Sequence, residues 1–156
     1  MISEKALQRI DEIIARYPVR RSAMIPVLHV MQAEEGYLTV EGMRLAATKL
    51  GLTYMDVSTT ASFYSMLYRR PMGKHHLQWC RSVSCMLRGS DDLRLYLEKK
   101  LGIKKGETTP DGSISLSEVE CLGACDKAPM MQVNFDYYEN LNPQRIDQIL
   151  ESLKQG

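Results

Sequence analysis

The sequence predicts an α+β fold in which a helical bundle is followed by an α/β half. Apolar residues recur at helical spacing through about the first 70 positions. The run Arg69-Arg70-Pro71-Met72-Gly73 then breaks this pattern, because Pro and Gly together mark a linker. Beyond it, strands and helices alternate, which is typical of a layered α/β arrangement. We therefore expect two domains, at residues 1–72 and 73–156.

The first domain is predicted to contain four helices. Pro18 closes the first apolar pattern, and Gly36 and Gly51 are expected to end the second and third helices. Thr53 and Asp56 have the spacing of a capping box at the start of the fourth. The predicted helices run from about Ala6 to Tyr17, from Ser22 to Glu35, from Val40 to Leu50 and from Thr53 to Ala61.

The second domain is predicted to combine a small sheet with two helices. Leu77 and Trp79 alternate with polar residues, which indicates a strand with one apolar face. Ser90 is expected to cap the first helix, and Asn142 the last, with Pro143 at its first position. The predicted elements are a strand at His75–Cys80, a helix from Ser90 to Leu101, a strand at Ser113–Val119, a hairpin of Met130–Val133 with Tyr137-Tyr138, and a helix from Pro143 through Leu153.

Composition and charge exclude several classes of function. The net charge is +1, from 20 basic and 19 acidic residues, so the chain lacks the basic field that holds nucleic acid. No apolar run approaches the roughly 18 residues that a membrane span needs. The N-terminal segment MISEKALQRIDEII lacks the features of a secretory signal, so we expect a cytosolic location.

Four cysteines form two close pairs in the second half of the chain. Cys80 and Cys85 are separated by four residues, and Cys121 and Cys125 by three. Two disulfides fit the even count, but disulfides belong mainly to oxidising compartments. A structural zinc site fits the spacing only in part. A [2Fe–2S] cluster on four thiolates is the third interpretation, since a four-residue gap also occurs in plant-type ferredoxins.

The other motifs of the chain point away from independent catalysis. No dinucleotide-binding or Walker A glycine pattern is present, and no C-x-x-C motif suggests thiol–disulfide exchange. His29 is expected to be packed on a helix face, and the adjacent His75 and His76 to be surface residues on opposite faces of a strand. We expect no substrate site within this chain alone.

The residues around the cysteines resemble a known family. The segments Trp79-Cys80-Arg81-Ser82-Val83-Ser84-Cys85 with Leu87-Arg88-Gly89-Ser90, and Glu120-Cys121-Leu122-Gly123-Ala124-Cys125 followed by Ala128-Pro129, are similar to the E-type [2Fe–2S] subunit of respiratory NADH:quinone oxidoreductase, complex I. The turn Thr109-Pro110-Asp111-Gly112 and the run Ala61-Ser62-Phe63-Tyr64 also look like this family. Arg81 departs from the pattern, because a small or polar residue is expected there.

The resemblance implies a thioredoxin-like fold for residues 73–156 and one [2Fe–2S] cluster. It implies that Cys80, Cys85, Cys121 and Cys125 are the cluster ligands, and that Ala128-Pro129 is a cis peptide bond. The implied function is electron transfer within the NADH-dehydrogenase module of complex I, an oxidoreductase. The cluster would lie near the FMN of a partner F subunit, where NADH is oxidised. Such a chain would be cytoplasmic and peripheral to the inner face of the cell membrane, as part of the peripheral arm.

Two alternatives stay open. Equivalent subunits occur in NAD-linked hydrogenases and formate dehydrogenases, and the sequence separates these poorly from complex I. A zinc-stabilised interaction domain without a redox role is the alternative of another class.

Residues 1–72 are interpreted as a docking domain, because a freely diffusing ferredoxin needs only its cluster domain. The run Phe63, Tyr64, Met66, Leu67 and Tyr68 is expected to be divided between core and partner interface. The nearest cations to the cysteines in sequence, Arg81, Arg88 and Lys127, are candidates to offset cluster charge.

Overall fold

The computed structural model of the chain describes residues 2–155, and it divides into two compact units, Met1–Pro71 and Met72–Gly156. The first unit is helical and the second contains a mixed sheet, so the predicted α+β class is confirmed. The assignment of the units as a docking domain and a cluster domain stays a prediction. Among the described residues, no helix has the length and apolarity to cross a bilayer.

The first unit consists of four helices and a 3-10 turn at Arg20–Ala23: α1 (Glu4–Ala15), α2 (Met24–Glu35), α3 (Val40–Leu50) and α4 (Tyr54–Phe63). Thr53 and Asp56 form the predicted capping box at the start of α4. Gly36 and Gly51 end α2 and α3 with positive φ angles of 79° and 68°, where a side chain would be strained.

The helices of the first unit pack around one apolar core. Every helix contributes to it, because each carries apolar residues three or four positions apart on one face. The fully buried members include Ile10, Val27, Leu28, Met31, Ala46 and Val57.

The second unit is built on a four-stranded sheet. The elements of this unit are β1 (His75–Cys80), α5 (Val83–Leu87), α6 (Ser90–Leu101), β2 (Ile114–Val119), β3 (Met131–Val133), β4 (Asp136–Tyr138) and α7 (Pro143–Gln155). The strand order is β2-β1-β3-β4. β1 pairs in parallel with β2 and antiparallel with β3, and β3 and β4 form the predicted hairpin.

One face of this sheet packs against α6 and α7. Leu77 and Trp79 point to that face, as alternation along the strand requires, and both are buried. They contact a core that includes Leu97 of α6 and Ile146 of α7. This shared core sets the position of β1, and of its end at Cys80, relative to α6 and α7.

Several predicted details of the second unit are correct, whereas the predicted cap of α6 is wrong. Asn142 caps α7 through a 2.8 Å hydrogen bond from the Arg145 amide, and the Ala128–Pro129 peptide is cis. Ser90, however, is not the cap of α6, because it is the first helical residue and Gly89 occupies the cap position. The Ser90 hydroxyl instead donates to the Cys80 carbonyl at 3.3 Å.

The predicted environments of His29 and His76 are wrong, whereas His75 is half-buried. His29 is exposed, because the buried face of α2 is formed by other residues of that helix, including Val27, Leu28 and Met31. His76 is only 4 % exposed, and its Nε2 lies 2.8 Å from the Ser117 hydroxyl on the sheet face opposite α6 and α7. That face is buried as well, which an alternating pattern of polar residues does not reveal.

Candidate metal centre

The four cysteines lie on four different local structures. Cys80 is the last residue of β1, Cys85 lies in the short helix α5, Cys121 follows β2 in a loop, and Cys125 begins a 3-10 turn at Cys125–Lys127. The first pair therefore lies in regular secondary structure rather than in a loop. The five-residue helix α5 is too short to give a periodic signal in the sequence.

The parallel pairing of β1 and β2 explains why the two distant cysteine segments meet. Cys80 lies opposite Val119, so the carboxyl ends of both strands reach the same edge of the sheet. Cys121 follows Val119 by two residues, and α5 begins three residues after Cys80. The sheet therefore places both cysteine pairs at one end of the second unit.

Within this end of the sheet the thiols come together as two pairs. The Sγ atoms of Cys121 and Cys125 are 3.3 Å apart at the surface. Cys80 and Cys85 hydrogen-bond to each other and are buried, packed with Ala128 and Met130. None of the four forms a disulfide bond. Among residues 2–155, no three Cys, His, Asp or Glu side chains are grouped closely enough to hold a single metal ion.

Hydrogen-bond donors point at three of the four sulfurs. The Gly123 amide donates to Cys121 Sγ at 3.4 Å, the Met130 amide donates to Cys85, and the Ser84 hydroxyl donates to Cys125. Gly123 has a φ of 87°, a conformation that few residues other than glycine adopt without strain. Donors of this kind stabilise negative charge on sulfur.

The acidities of the thiols follow from these contacts. The Gly123 hydrogen bond lowers the pKa of Cys121 below its ordinary value, so this sulfur favours the thiolate form that binds metal. The neighbouring Cys121 in turn raises the pKa of Cys125. Burial, followed by the hydrogen bond with Cys80, raises the pKa of Cys85 to about 11.

The expected cations are largely engaged by carboxylates. Arg81 Nε lies 3.1 Å from Glu120, and Lys127 Nζ lies 3.1 Å from Glu139. Each of these two positive charges beside the cysteines is therefore offset by a negative one. Exposed ion pairs of this kind are weak, so a role for Arg81 or Lys127 in offsetting cluster charge stays a prediction.

The donor set fits an iron–sulfur cluster. Thiolates are soft ligands that suit iron and sulfide, and a [2Fe–2S] cluster takes four of them, two on each iron. Two thiol pairs at one end of a sheet match that requirement, with one pair available for each iron. The buried pair would shield one side of a bound cluster from solvent, and the exposed pair would leave its other side close to the surface.

The sequence analysis proposed the four cysteines as ligands but did not identify the groups that contact them. Ser84 and Met130 were not identified, and neither was Tyr137, whose hydroxyl donates to the Leu122 carbonyl at 2.6 Å. Ser84 adjoins Cys85, but its contact with Cys125 depends on the tertiary fold. Met130 and Tyr137 approach only after β3 and β4 pair, and no local pattern in the sequence indicates this.

Comparison with known proteins places the chain beside iron–sulfur proteins. Residues 10–154 match the family model of the thioredoxin-like [2Fe–2S] ferredoxins. The chain is 49 % identical over 147 residues to the NADH-quinone oxidoreductase E 2 subunit of Rhizobium meliloti, a match that covers 94 % of this chain and 88 % of that protein. It is 43 % identical over 143 residues to the NADH-quinone oxidoreductase E subunit of Mycobacterium bovis, a match that covers 92 % of this chain and 57 % of that protein.

A solved structure shares the same fold. An NAD⁺-reducing [NiFe]-hydrogenase in the air-oxidised state superposes with a TM-score of 0.70 at 23 % identity. The match covers 82 % of this chain and 22 % of the hydrogenase chain. At this level of identity the likeness concerns the fold alone.

Proposed function

Because this chain belongs to the thioredoxin-like [2Fe–2S] ferredoxin family, we propose that it is the iron–sulfur electron-transfer subunit of an NADH:quinone oxidoreductase. Membership of the family confirms the resemblance drawn from the cysteine motifs and supports an iron–sulfur cluster as its cofactor. The relatives are named as E subunits of NADH-quinone oxidoreductase, which supports an oxidoreductase complex rather than an independent enzyme.

The proposed ligands are Cys80, Cys85, Cys121 and Cys125. The observation that carries this assignment is the meeting of two thiol pairs at one edge of the sheet, with backbone or hydroxyl donors on three of the sulfurs. A structural zinc site needs tetrahedral thiolates around one ion. Four thiolates in two pairs provide two ligands for each iron of a cluster, and membership of a [2Fe–2S] ferredoxin family favours this use over zinc.

The cluster, when bound, accepts and releases one electron at a time. The residues of this chain adjust that exchange by hydrogen bonding and by burial. The Gly123 and Met130 amides and the Ser84 hydroxyl stabilise negative charge on the sulfurs. Burial of Cys80 and Cys85 keeps water from one side of the site.

The proposed partner is the flavin-bearing F subunit, in which NADH reduces FMN. The second unit exposes Val83, Met86 and Leu87 on α5 beside Cys85, and apolar groups at such positions are typical of an interface. The assembled complex would be cytoplasmic and peripheral to the inner face of the membrane. An equivalent place in an NAD-linked hydrogenase or formate dehydrogenase is the related alternative.

Anaerobic purification of the full chain tests the cofactor. We expect two irons and two acid-labile sulfides per chain, and a low-temperature EPR signal after reduction with dithionite. One zinc per chain without sulfide or EPR signal would overturn the proposal in favour of a zinc-stabilised interaction domain. Replacement of any one cysteine by Ser should lower the iron content, and a residue whose variant keeps the full iron content and spectrum is not a ligand.

Co-expression with the F subunit of the same organism tests the partner. We expect the two chains to co-purify with FMN and iron in a fixed ratio, and the iron–sulfur signal to develop when NADH is added. Co-expression with the flavin subunit of a hydrogenase or formate dehydrogenase is the matched comparison. Preferential assembly with one of those subunits would reassign the chain to that complex.

A further inference from the structure

The peptide group between Leu122 and Gly123 is hydrogen-bonded at both ends. Its carbonyl oxygen accepts the Tyr137 hydroxyl at 2.6 Å, and its N–H donates to Cys121 Sγ at 3.4 Å. The carbonyl and the N–H belong to one planar, conjugated unit. The Tyr137 hydroxyl is therefore connected to the Cys121 sulfur through a single peptide group.

We propose that Tyr137 is a positioning residue that tunes the cluster, because its hydroxyl orients and polarises the Leu122–Gly123 peptide against Cys121. The inference rests on the proposed function, since it requires Cys121 to be a cluster ligand. Tyr137 itself does not contact a proposed ligand; it acts through the peptide.

Polarisation of the Leu122–Gly123 peptide determines the direction in which the reduction potential changes. A donor on a carbonyl oxygen draws electron density from the peptide nitrogen and makes its N–H a better donor, and chains of hydrogen bonds strengthen each other by about 10–30 % per bond. A stronger N–H···S bond stabilises the more negative, reduced state of a cluster over the oxidised state. The Tyr137 hydroxyl therefore raises the reduction potential.

The geometry of the hairpin makes Tyr137 a fixed anchor. Tyr137 lies in β4 opposite Gln132 of β3, so its backbone position is set by the sheet. The loop that it contacts has irregular structure, and Gly123 holds a φ of 87° within it. Without the hydroxyl, the peptide loses the contact that fixes its carbonyl on the side away from Cys121.

Tyr138 provides a matched control in the adjacent position. Its ring packs on the opposite face of the sheet against the core with Leu97 and Ile146. Its hydroxyl makes no hydrogen bond within residues 2–155. Tyr138→Phe thus removes the equivalent hydroxyl group from the same strand without affecting the loop that contains Cys121, Leu122 and Gly123.

The test is a redox titration of the cluster-loaded full chain, followed by EPR, for the unsubstituted protein, Tyr137→Phe and Tyr138→Phe. We expect Tyr137→Phe to lower the reduction potential and Tyr138→Phe to leave it unchanged. An unshifted potential in a fully loaded Tyr137→Phe protein would overturn the inference. A protein that contains no iron or sulfide before any substitution would instead refute the proposed function.

A second variant covers the case in which Tyr137→Phe loses its cluster. Replacement of Tyr137 by 3-fluorotyrosine keeps the ring and makes the hydroxyl a stronger donor. We expect the potential to move upward, opposite to the change in Tyr137→Phe. A downward shift or no shift in the fluorinated, cluster-loaded protein would contradict the inference whatever the outcome for Tyr137→Phe.

Discussion

Gly73 and Ser115 approach each other so closely that the Gly73 amide donates to the Ser115 hydroxyl at 2.7 Å. A Cβ atom added to Gly73 would lie 2.8 Å from the Ile114 carbonyl carbon and 2.9 Å from the Ser115 nitrogen. Both atoms belong to the backbone of β2, whose register with β1 is fixed by the parallel ladder. The start of the second unit is therefore anchored to β2 by a contact that only glycine allows.

Gly73→Ala should destabilise the second unit. The added methyl group displaces either the segment before β1 or the backbone of β2, and such overpacking costs about 1–3 kcal/mol. We expect a lower midpoint of urea unfolding, measured by circular dichroism. A midpoint equal to that of the unsubstituted chain would show that the segment before β1 can move without cost.

Gly123→Ala should affect the cluster as well as stability, whereas Gly112→Ala should affect stability alone. Both glycines have positive φ, at 87° and 71°, and no atom of residues 2–155 other than their own chain neighbours lies within 4 Å of an added Cβ. The strain on alanine is roughly 1–2 kcal/mol in each case. Of these two glycines, only Gly123 donates its amide to a proposed ligand. We expect lower iron retention and an altered EPR line shape for Gly123→Ala alone, and equal iron retention in both variants would contradict this.

The regular elements could be predicted from sequence because their signals are local. The helix at Val40–Leu50 and the strand at His75–Cys80 have the predicted bounds, since apolar spacing and flanking residues define both. The prediction for Ser90 is wrong because of a tertiary contact. The Ser90 hydroxyl donates a hydrogen bond to the Cys80 carbonyl, and Gly89, with a φ of 83°, occupies the cap position of α6 instead.

The cysteines of the candidate metal centre could be proposed as ligands from the sequence, but their arrangement in space could not. Spacing shows the pairs, yet only the fold shows that Cys80 and Cys85 are buried while Cys121 and Cys125 are exposed. Arg81 and Lys127 looked suited to charge compensation in the sequence. The structure pairs them with Glu120 and Glu139. These ion pairs depend on side-chain positions that no sequence motif encodes.

Thr53→Ala should destabilise the first unit in a pH-dependent way. Thr53 and Asp56 exchange hydrogen bonds at the start of α4, and loss of a Thr cap costs about 1 kcal/mol. The hydrogen bonds from Thr53, followed by the charge of Arg21, lower the pKa of Asp56 below its ordinary 3.8. The folded state therefore favours the ionised carboxylate, and this stabilisation is present above pH 3.8 and lost as the pH falls through the lower folded-state pKa.

Thermal unfolding at neutral pH and at pH values below 3.8 checks this expectation. The difference between the unsubstituted chain and Thr53→Ala should shrink in acid. Thr48→Ala is the control, because Thr48 lies inside α3 and donates only to the Arg44 carbonyl of the same helix. A Thr53→Ala difference that stays constant with pH would contradict a role for the Asp56 carboxylate.

Trp79 should report on the metal centre by its fluorescence. It is the only tryptophan, it is 1 % exposed, and it precedes the proposed ligand Cys80. Its buried Nε1 has no hydrogen-bond partner within residues 2–155, so we expect emission at short wavelength. An adjacent iron–sulfur cluster absorbs at the emission wavelength, and removal of iron by a chelator should increase the intensity. Emission that is independent of iron content would argue against a cluster beside Cys80.

Phe63→Ser should weaken assembly with the proposed partner, the F subunit, without unfolding the chain. Phe63 is 80 % exposed at the end of α4, and its ring meets that of Tyr64 edge to face at 5.2 Å. Leu67, from the same aromatic-rich run, is buried in the core, so the run divides between core and surface. Aromatic residues are enriched at the centres of protein interfaces, and an exposed pair of them is typical of an anchor.

The control for Phe63→Ser is Val19→Ser, which changes another apolar residue of the first unit that is 61 % exposed. Both variants should keep the circular dichroism spectrum and iron content of the unsubstituted chain, because neither side chain belongs to the core. Co-purification with the F subunit should fall for Phe63→Ser and persist for Val19→Ser. Equal recovery of the F subunit with both variants would remove Phe63 from the interface and leave docking to other surfaces of the chain.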